Sequence, residues 1–487
     1  MRSSSINNKQ LVKDMKKKIS KKINRKLFLI LLFALFLRAY FYVGPNLNDD
    51  IDYIFSANQV AKGDFYPIYG HSINALRSMM TLPIAFFFKL FGPGEITSSF
   101  YPILCSLLTI IVCFYLGKIL VNEKVGLYAA LLLSFFPLDI AYSTQLVPTT
   151  PLTLFLSMSL LFFIKAEKEN KRFFYFISGV FIGIGYLANE LFFVGFILLI
   201  SYIIFNRKIK SDYVFVFLGA LLIFFIETTF LYFRTGDPFH RINVIHETER
   251  MVGTNTALDY YPRVVFKLLN INFEAHEGNL GIFFYLFLIS SLYALSKKNK
   301  RLLFITLWVL LTFLYLEFGI MTAEFKPIAK WVRYLIIFGP SFSILIAYAI
   351  SNIRKIKLQY LVLFLIFISS LPYTYGSVQT YRDWTSMFKE EYIFLKSLEN
   401  KTIYTDQGSL GFLMVYFNFK KDIRNLEFRR EEEIKDAYVI VDGSVGVVYY
   451  TPMRERIPRF VRDPPKNWKL IKILDAKYIK PKIYYVE

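Results

Sequence analysis

Long apolar stretches recur along this chain, and every second connection between them is short and basic. No other feature restricts the fold so strongly. Runs of about 18 or more apolar residues are membrane-spanning candidates. Within lipid only helices and closed barrels satisfy their own backbone. These runs are too long for barrel strands, so the expected class is an all-α polytopic membrane protein. The content agrees: 55% of the 487 residues are hydrophobic, with 52 Phe and 34 Tyr, richer than an ordinary soluble domain.

The spacing predicts about eleven spans, near 27–43, 96–117, 125–143, 150–164, 173–189, 191–205, 213–233, 278–296, 302–322, 333–351 and 358–375. The stretch 79–92 (MMTLPIAFFFKLFG) is short for a span and reads as a juxtamembrane or re-entrant piece. Ten Lys or Arg precede Leu27, which places the N-terminus (1–26) in the cytoplasm, with the first helix as a retained signal anchor. Alternating spans then put LGKILVNEK at 116–124, KAEKENKR at 165–172, NRKIK at 206–210, SKKNKR at 296–301 and NIRKIK at 352–357 on the inside. The outside connections 144–150 and 188–190 hold no Lys or Arg. Much of the net charge of +21 is therefore orientation signal rather than a nucleic-acid surface. Cys105 and Cys113, eight residues apart in one predicted span, stand about 12 Å apart along its axis and cannot bridge.

Three outer pieces follow from this map: 44–95, 234–277 and a C-terminal domain at 376–487. The last carries short β-branched and aromatic runs at 401–406, 436–443, 446–451, 469–474 and 482–487, with a helix expected over 409–417. That pattern fits a small α/β domain on the extracytoplasmic side. It holds no Gly-rich nucleotide fingerprint.

Polar residues of unusual type collect on the outer side. Asp49, Asp50 and Asp52 lie a few residues beyond the first span, and His71, His240, His246 and His276 all fall in outer pieces. Carboxylates beside a membrane boundary are costly, and partial desolvation raises their pKa. Such a group can take a proton from an attacking hydroxyl or hold a divalent cation. The same NDD sequence is also a good helix start. A histidine in a loop is most often a solvated polar residue.

The order Asp49-Asp50-Ile51-Asp52-Tyr53, Ala57, Gly63 resembles the first outer loop of polyprenyl-phosphate-sugar-dependent glycosyltransferases, the protein O-mannosyltransferase and aminoarabinose transferase type with the GT-C fold. Further similar segments are KLFGPGEITSSFYPIL at 89–104, LLSFFPLDIAYSTQ at 132–145, YFRTGDPFHRI at 232–242 and KWVRYLIIFGP at 330–340, so the resemblance covers about 27–350. It implies a multi-pass cell-membrane enzyme. Such an enzyme moves a sugar, with inversion, from a lipid-linked phosphate donor to a hydroxyl-bearing protein, lipid or glycan at the outer face. It assigns Asp49 as general base or metal ligand, with Asp50 as the alternative, and Arg333 as partner of the donor phosphate, with Lys330 and Lys326 beside it. Tyr53, His71, His240 and Glu190 are candidates for the donor and acceptor pocket.

The chain departs from the family pattern after the third span, where Val147-Pro148-Thr149-Thr150-Pro151 holds no acid. Asp139 or Glu190 could stand in, and a divalent cation (Mg, Mn or Zn) would then lie between Asp49 and Asp139. No paired Trp motif of the oligosaccharyltransferase kind is present. The alternative is a transporter or lipid-linked-glycan flippase, which calls for charged or broken helices at mid-membrane and paired repeats. Few mid-span acids occur, Glu227 and Glu317 among them, and no repeat is evident.

Overall fold

A computed structural model describes residues 23–46, 48–64, 73–252, 280–319, 328, 331–426, 429–441, 464–475 and 480–487. Residues 23–40 are helical. Among the described residues six helices are long and apolar enough to cross a membrane: Glu95–Leu120, Thr149–Glu169, Ser211–Thr235, Lys300–Phe318, Val332–Ser351 and Ile356–Lys396. Four apolar helices are shorter: Ser78–Phe91, Arg172–Ala188, Glu190–Asn206 and Ile282–Ser296.

Three expected elements differ in ways the local chemistry explains. The span expected over 125–143 is two helices, Glu123–Ser134 and Pro137–Tyr142. Pro137 disfavours helical backbone at Phe136 and then supplies the preset first residue of the next helix. The loop expected over 234–277 contains a helix, His240–Val252. The last span does not stop at 375. It continues as one helix to Lys396, about 62 Å at 1.5 Å per residue, and so carries the C-terminal domain on a rigid stem.

That domain is a five-stranded sheet of order β2-β1-β3-β5-β4. Its strands are β1 (Thr402–Thr405), β2 (Ile423–Asn425), β3 (Ala437–Val441), β4 (Lys469–Ile473) and β5 (Lys482–Val486). β1 pairs in parallel with β2 and β3, and β5 pairs antiparallel with β3 and β4. The expected run at 446–451 lies outside the described residues. The helix Gln407–Tyr416 crosses between β1 and β2 and packs on the acid-bearing helix Asn48–Lys62. Gly411 permits this approach, because a Cβ there would stand 2.6 Å from Ile51. Phe388 and Phe412 stack at 4.1 Å beneath it, and Phe55 meets Phe419 edge-on at 5.3 Å. Apolar contact thus fixes the C-terminal domain over the helix Asn48–Lys62.

Within the bundle, Thr149–Glu169 packs between Glu95–Leu120 and Arg172–Ala188, and the latter lies along Val214–Thr235. Gly179 and Gly219 let those last two helices touch, since a Cβ at either would meet backbone of the other at about 2 Å. Close approach of this kind is the usual source of helix affinity in lipid. Cys105 and Cys113 are free and buried.

Candidate active site

The site assembles where three irregular pieces of chain meet: the start of Asn48–Lys62, the short helix Ile73–Leu76 with Arg77, and the 3-10 segment Val332–Phe338. Asp49 and Asp50 occupy the first turn of Asn48–Lys62, where carboxylates face the positive helix end. The helix closes at Gly63, whose φ of +99° suits glycine. Consecutive helical residues point about 100° apart, so the two aspartates separate. Asp50 turns inward and is buried, and its Oδ2 accepts from the Asn46 N–H at 2.9 Å. Asp49 stays partly open, its side chain 39% exposed.

Asp49 is held from two sides. Its Oδ1 accepts from Asn74 Nδ2 at 3.1 Å, and its Oδ2 faces Arg333 Nη2 at 3.4 Å. Asn74 Nδ2 also donates to Asp52 Oδ2 at 3.3 Å. Tyr53 lies directly behind: its hydroxyl donates to Asn74 Oδ1 at 3.0 Å and accepts from Arg77 Nη1 at 2.6 Å. Arg77 then grips Glu190 with two donors, Nη2 at 2.6 Å and Nε at 3.3 Å. Glu190 also accepts from Arg241 Nη2 at 3.0 Å, and Arg241 Nη1 donates to Glu227 at 2.9 Å. The Arg241 guanidinium lies 4.3 Å from the Tyr186 ring. An unbroken polar chain therefore runs from Asp49 into the bundle as far as Glu227.

Arg333 differs from the other two arginines. Arg77 is saturated by Glu190, Tyr53 and Asn74. Arg333 is largely buried, with its side chain 14% exposed, yet among the described residues its only carboxylate partner is Asp49, at 3.4 Å. Among the described residues its buried Nε has no hydrogen-bond partner, and its guanidinium lies 5.1 Å from the Trp331 ring. A desolvated cation with spare donors can offer charge-assisted hydrogen bonds to an anion.

The expected pocket residues divide as follows. Asp49, Tyr53, Glu190 and Arg333 join one network. Asp50 adjoins it from the buried side. His240 opens the helix His240–Val252, half-buried, and the residue this helix sends into the network is its neighbour Arg241. Glu190 does not stand in for the missing acid as a free ligand, because two arginines occupy its carboxylate. Lys326, Lys330 and His71 lie outside the described residues. Arg77, Asn74 and Arg241 carry the network and drew no attention in the sequence. Arg77 stands alone before an apolar helix, without a motif to distinguish it.

Asp139 corrects the expected cation site. Its carboxylate is buried against the Arg38 guanidinium, and Ser106 Oγ donates to the same oxygen at 2.6 Å. Arg38 is completed by Ser106 Oγ and by the carbonyls of Ala34 and Ser134. Asp139 and Asp49 thus serve different partners. Among the described residues no group of three or more His, Cys, Asp or Glu is placed to hold a metal ion. Asp49 and Asp139 therefore do not share one cation site. Asp139→Ala would strand a buried arginine. It should destabilise the protein by about 3–5 kcal/mol, read as a fall in thermal midpoint, and replacing both partners by apolar residues should recover most of that loss.

Burial pushes the Asp50 carboxyl up to about 7, opposed by the N–H groups of Asn46 and Leu146 and by Arg333, and reinforced by Asp49. The folded state therefore binds this proton more tightly than the unfolded chain, whose value is near 4. The sign follows: stability from this group is full below about pH 4, declines as pH rises, and is lost above about 7. The loss amounts to at most about 4 kcal/mol. Asp50→Asn should flatten the fall of thermal midpoint between pH 5 and 8; parallel wild-type and variant curves would contradict the burial argument.

Several known proteins resemble this chain in sequence or fold. Residues 78–233 match the family model described as dolichyl-phosphate-mannose-protein mannosyltransferase. An uncharacterized protein of Aquifex aeolicus is 23% identical over 314 residues, spanning 61% of this chain and 59% of that relative's length. Among solved structures, ArnT from Cupriavidus metallidurans in the apo state aligns with a TM-score of 0.60 at 12% identity, covering 94% of this chain and 97% of ArnT. The same ArnT bound to undecaprenyl phosphate aligns at 0.59. The Archaeoglobus fulgidus oligosaccharyltransferase, solved with Zn and sulfate, aligns at 0.55 with 14% identity, covering 94% of this chain and 72% of that one. The helical bundle and the sheet domain carried by its last helix thus share the fold of ArnT and of the archaeal oligosaccharyltransferase, and residues 78–233 resemble the mannosyltransferase family.

Proposed function

We propose that this protein transfers a sugar from a polyprenyl-phosphate donor to an acceptor hydroxyl, with inversion, at the membrane face that carries Asp49 and Arg333. The observation that carries the reading is Arg333: a buried guanidinium, 3.4 Å from a half-exposed carboxylate, whose Nε has no partner among the described residues. A phosphate entering beside Arg333 would replace that long contact with direct charge-assisted bonds. It would also leave Asp49 Oδ2 free to face the acceptor, while Asn74 keeps Oδ1 in place.

The chemistry then balances simply. The acceptor oxygen forms a bond to the anomeric carbon as the carbon–oxygen bond to phosphate breaks. The acceptor proton passes to Asp49, and the added negative charge on the departing polyprenyl phosphate is met by Arg333. Arg77, neutralised by Glu190, orients Tyr53 and Asn74 and supports Asp49 from behind. ArnT bound to undecaprenyl phosphate, and an Archaeoglobus fulgidus homologue of similar fold bound to a dolichol-phosphate and an inhibitory peptide, support a lipid phosphate as ligand for this fold.

The transport alternative draws less support. Glu227 is paired with Arg241, and Asp139 with Arg38, so these buried charges are neutralised by fixed partners rather than lining an ion path. The reading is tested by incubating purified protein with a panel of radiolabelled polyprenyl-phosphate sugars and membrane extract. Label should move into acceptor for at least one donor. Retention of label on every lipid donor, alongside vectorial movement of donor across proteoliposomes, would favour transport instead.

A further inference from the structure

A second site of recognisable chemistry lies at the opposite end of the bundle. A cavity of about 330 Å³ opens among four helix ends and is lined by Ile119, Ile164 and Phe304 on its apolar side and by Lys168, Lys300 and Arg301 at its rim. Thr149–Glu169 fixes its distance from Asp49. The chain entering that helix lies beside the acids, since the Leu146 N–H hydrogen-bonds Asp50, while Glu167 and Lys168 sit at the other end, about 27 Å along the axis. The cavity therefore lies at the far end of the bundle from Asp49.

Its charge is one-sided by construction. Glu167 is the one acid among the lining residues. Both its oxygens are engaged: Oε1 accepts from Tyr175 at 2.5 Å, and Oε2 from Tyr202 and Lys210, each at 2.8 Å. The Lys210 ammonium offsets its charge and holds it away from the rim. Arg301 spends one donor on the Leu120 carbonyl at 3.3 Å, which anchors the side chain and leaves its remaining N–H groups available. Three cations thus surround an opening with an apolar floor, and the local acid is already neutralised.

We propose that this cavity binds the phosphate headgroup of an anionic phospholipid, with the first methylenes of its chains against Ile119, Ile164 and Phe304. A compact phosphodiester fits the volume, and its charge fits the rim. The apolar floor distinguishes a lipid from a free phosphate compound, which has nothing to place there. The position, at the end of the bundle where the basic connections 165–172, 206–210 and 296–301 gather, puts the rim at headgroup depth.

Native mass spectrometry of delipidated full-length protein, titrated with dioleoyl phosphatidylglycerol, tests this. One lipid should be retained well above the rest. At about 1 kcal/mol per cation, Lys300→Gln with Arg301→Gln should weaken that event roughly thirty-fold, and Lys168→Gln alone roughly five-fold. These side chains are exposed, so the variants should keep the wild-type circular dichroism. Dioleoyl phosphatidylcholine should show no such tight event. Equal phosphatidylglycerol affinity in wild type and double variant would overturn the proposal, as would equal retention of the two lipids. Glycerol phosphate binding as tightly as the intact lipid would identify a soluble phosphate ligand and overturn the lipid assignment.

Discussion

Asp49→Asn should abolish sugar transfer while leaving the protein folded and the donor bound. The replacement keeps the shape of the side chain and its contact with Asn74, but it cannot accept the acceptor proton. General-base catalysis contributes about 10²–10⁴-fold, so the rate should fall by about that factor at saturating donor. The donor KM should change little, because Arg333 keeps its place. Removing a carboxylate from beside a buried guanidinium should even favour phosphate binding. Asp50→Asn is the internal control. Asp50 is buried and turned towards Asn46, away from the open side of the cluster. Its amide should retain transfer within about ten-fold, since Asp50 contacts no reacting atom in this account. The reverse ranking of the two variants, measured as initial rates with one radiolabelled donor, would move the base from Asp49 to Asp50.

Arg333→Ala should act on the other half of the reaction. Hydrogen bonds to charged groups contribute about 1.5–3 kcal/mol each. The donor KM should therefore rise by about 10- to 100-fold. The turnover rate should fall as well, because the charge that develops on the leaving phosphate is larger than in the bound donor. Arg333→Lys should restore binding in part, since an ammonium supplies charge without the two-pronged geometry. Arg77→Ala should behave differently: it uncovers Glu190 and loosens Tyr53 and Asn74 together. That variant should lose stability as well as activity, whereas Arg333→Ala should not. Kinetics with varied donor, paired with thermal midpoints, separate the two roles. An Arg333→Ala enzyme with unchanged donor kinetics would remove this residue from the site.

Much of the architecture was legible from hydropathy alone, because lipid forces each long apolar run into a helix. The errors fall where a local residue overrides the run. Pro137 divides one expected span, and the stem helix Ile356–Lys396 passes residue 375 without a break, since polar composition does not stop a helix once it leaves lipid. The three-residue strand β2 is too short to register as a pattern.

At the site, Asp49 and Arg333 were both visible as charges at membrane boundaries, but their meeting was not. They are 284 residues apart, and nothing local couples them. Asp49 and Asp50 are equivalent as letters; only the helical turn between them separates a buried carboxyl from an open one. Glu190 looked like a spare acid because its two arginine partners come from distant segments, 113 and 51 residues away. Asp139 looked available for a cation for the same reason, its partner Arg38 lying 101 residues earlier.

The central claim is that a polyprenyl phosphate binds beside Arg333 within reach of Asp49. The most direct measurement is photo-crosslinking with a polyprenyl phosphate that carries a diazirine near its phosphate, followed by peptide mapping of the labelled protein. The account predicts label on the peptides that hold Asp49 to Tyr53, Arg77 and Val332 to Phe338, competed by unlabelled polyprenyl phosphate and lost in Arg333→Ala. Competed label at the Lys300 and Arg301 end of the bundle, with none near Arg333, would contradict it.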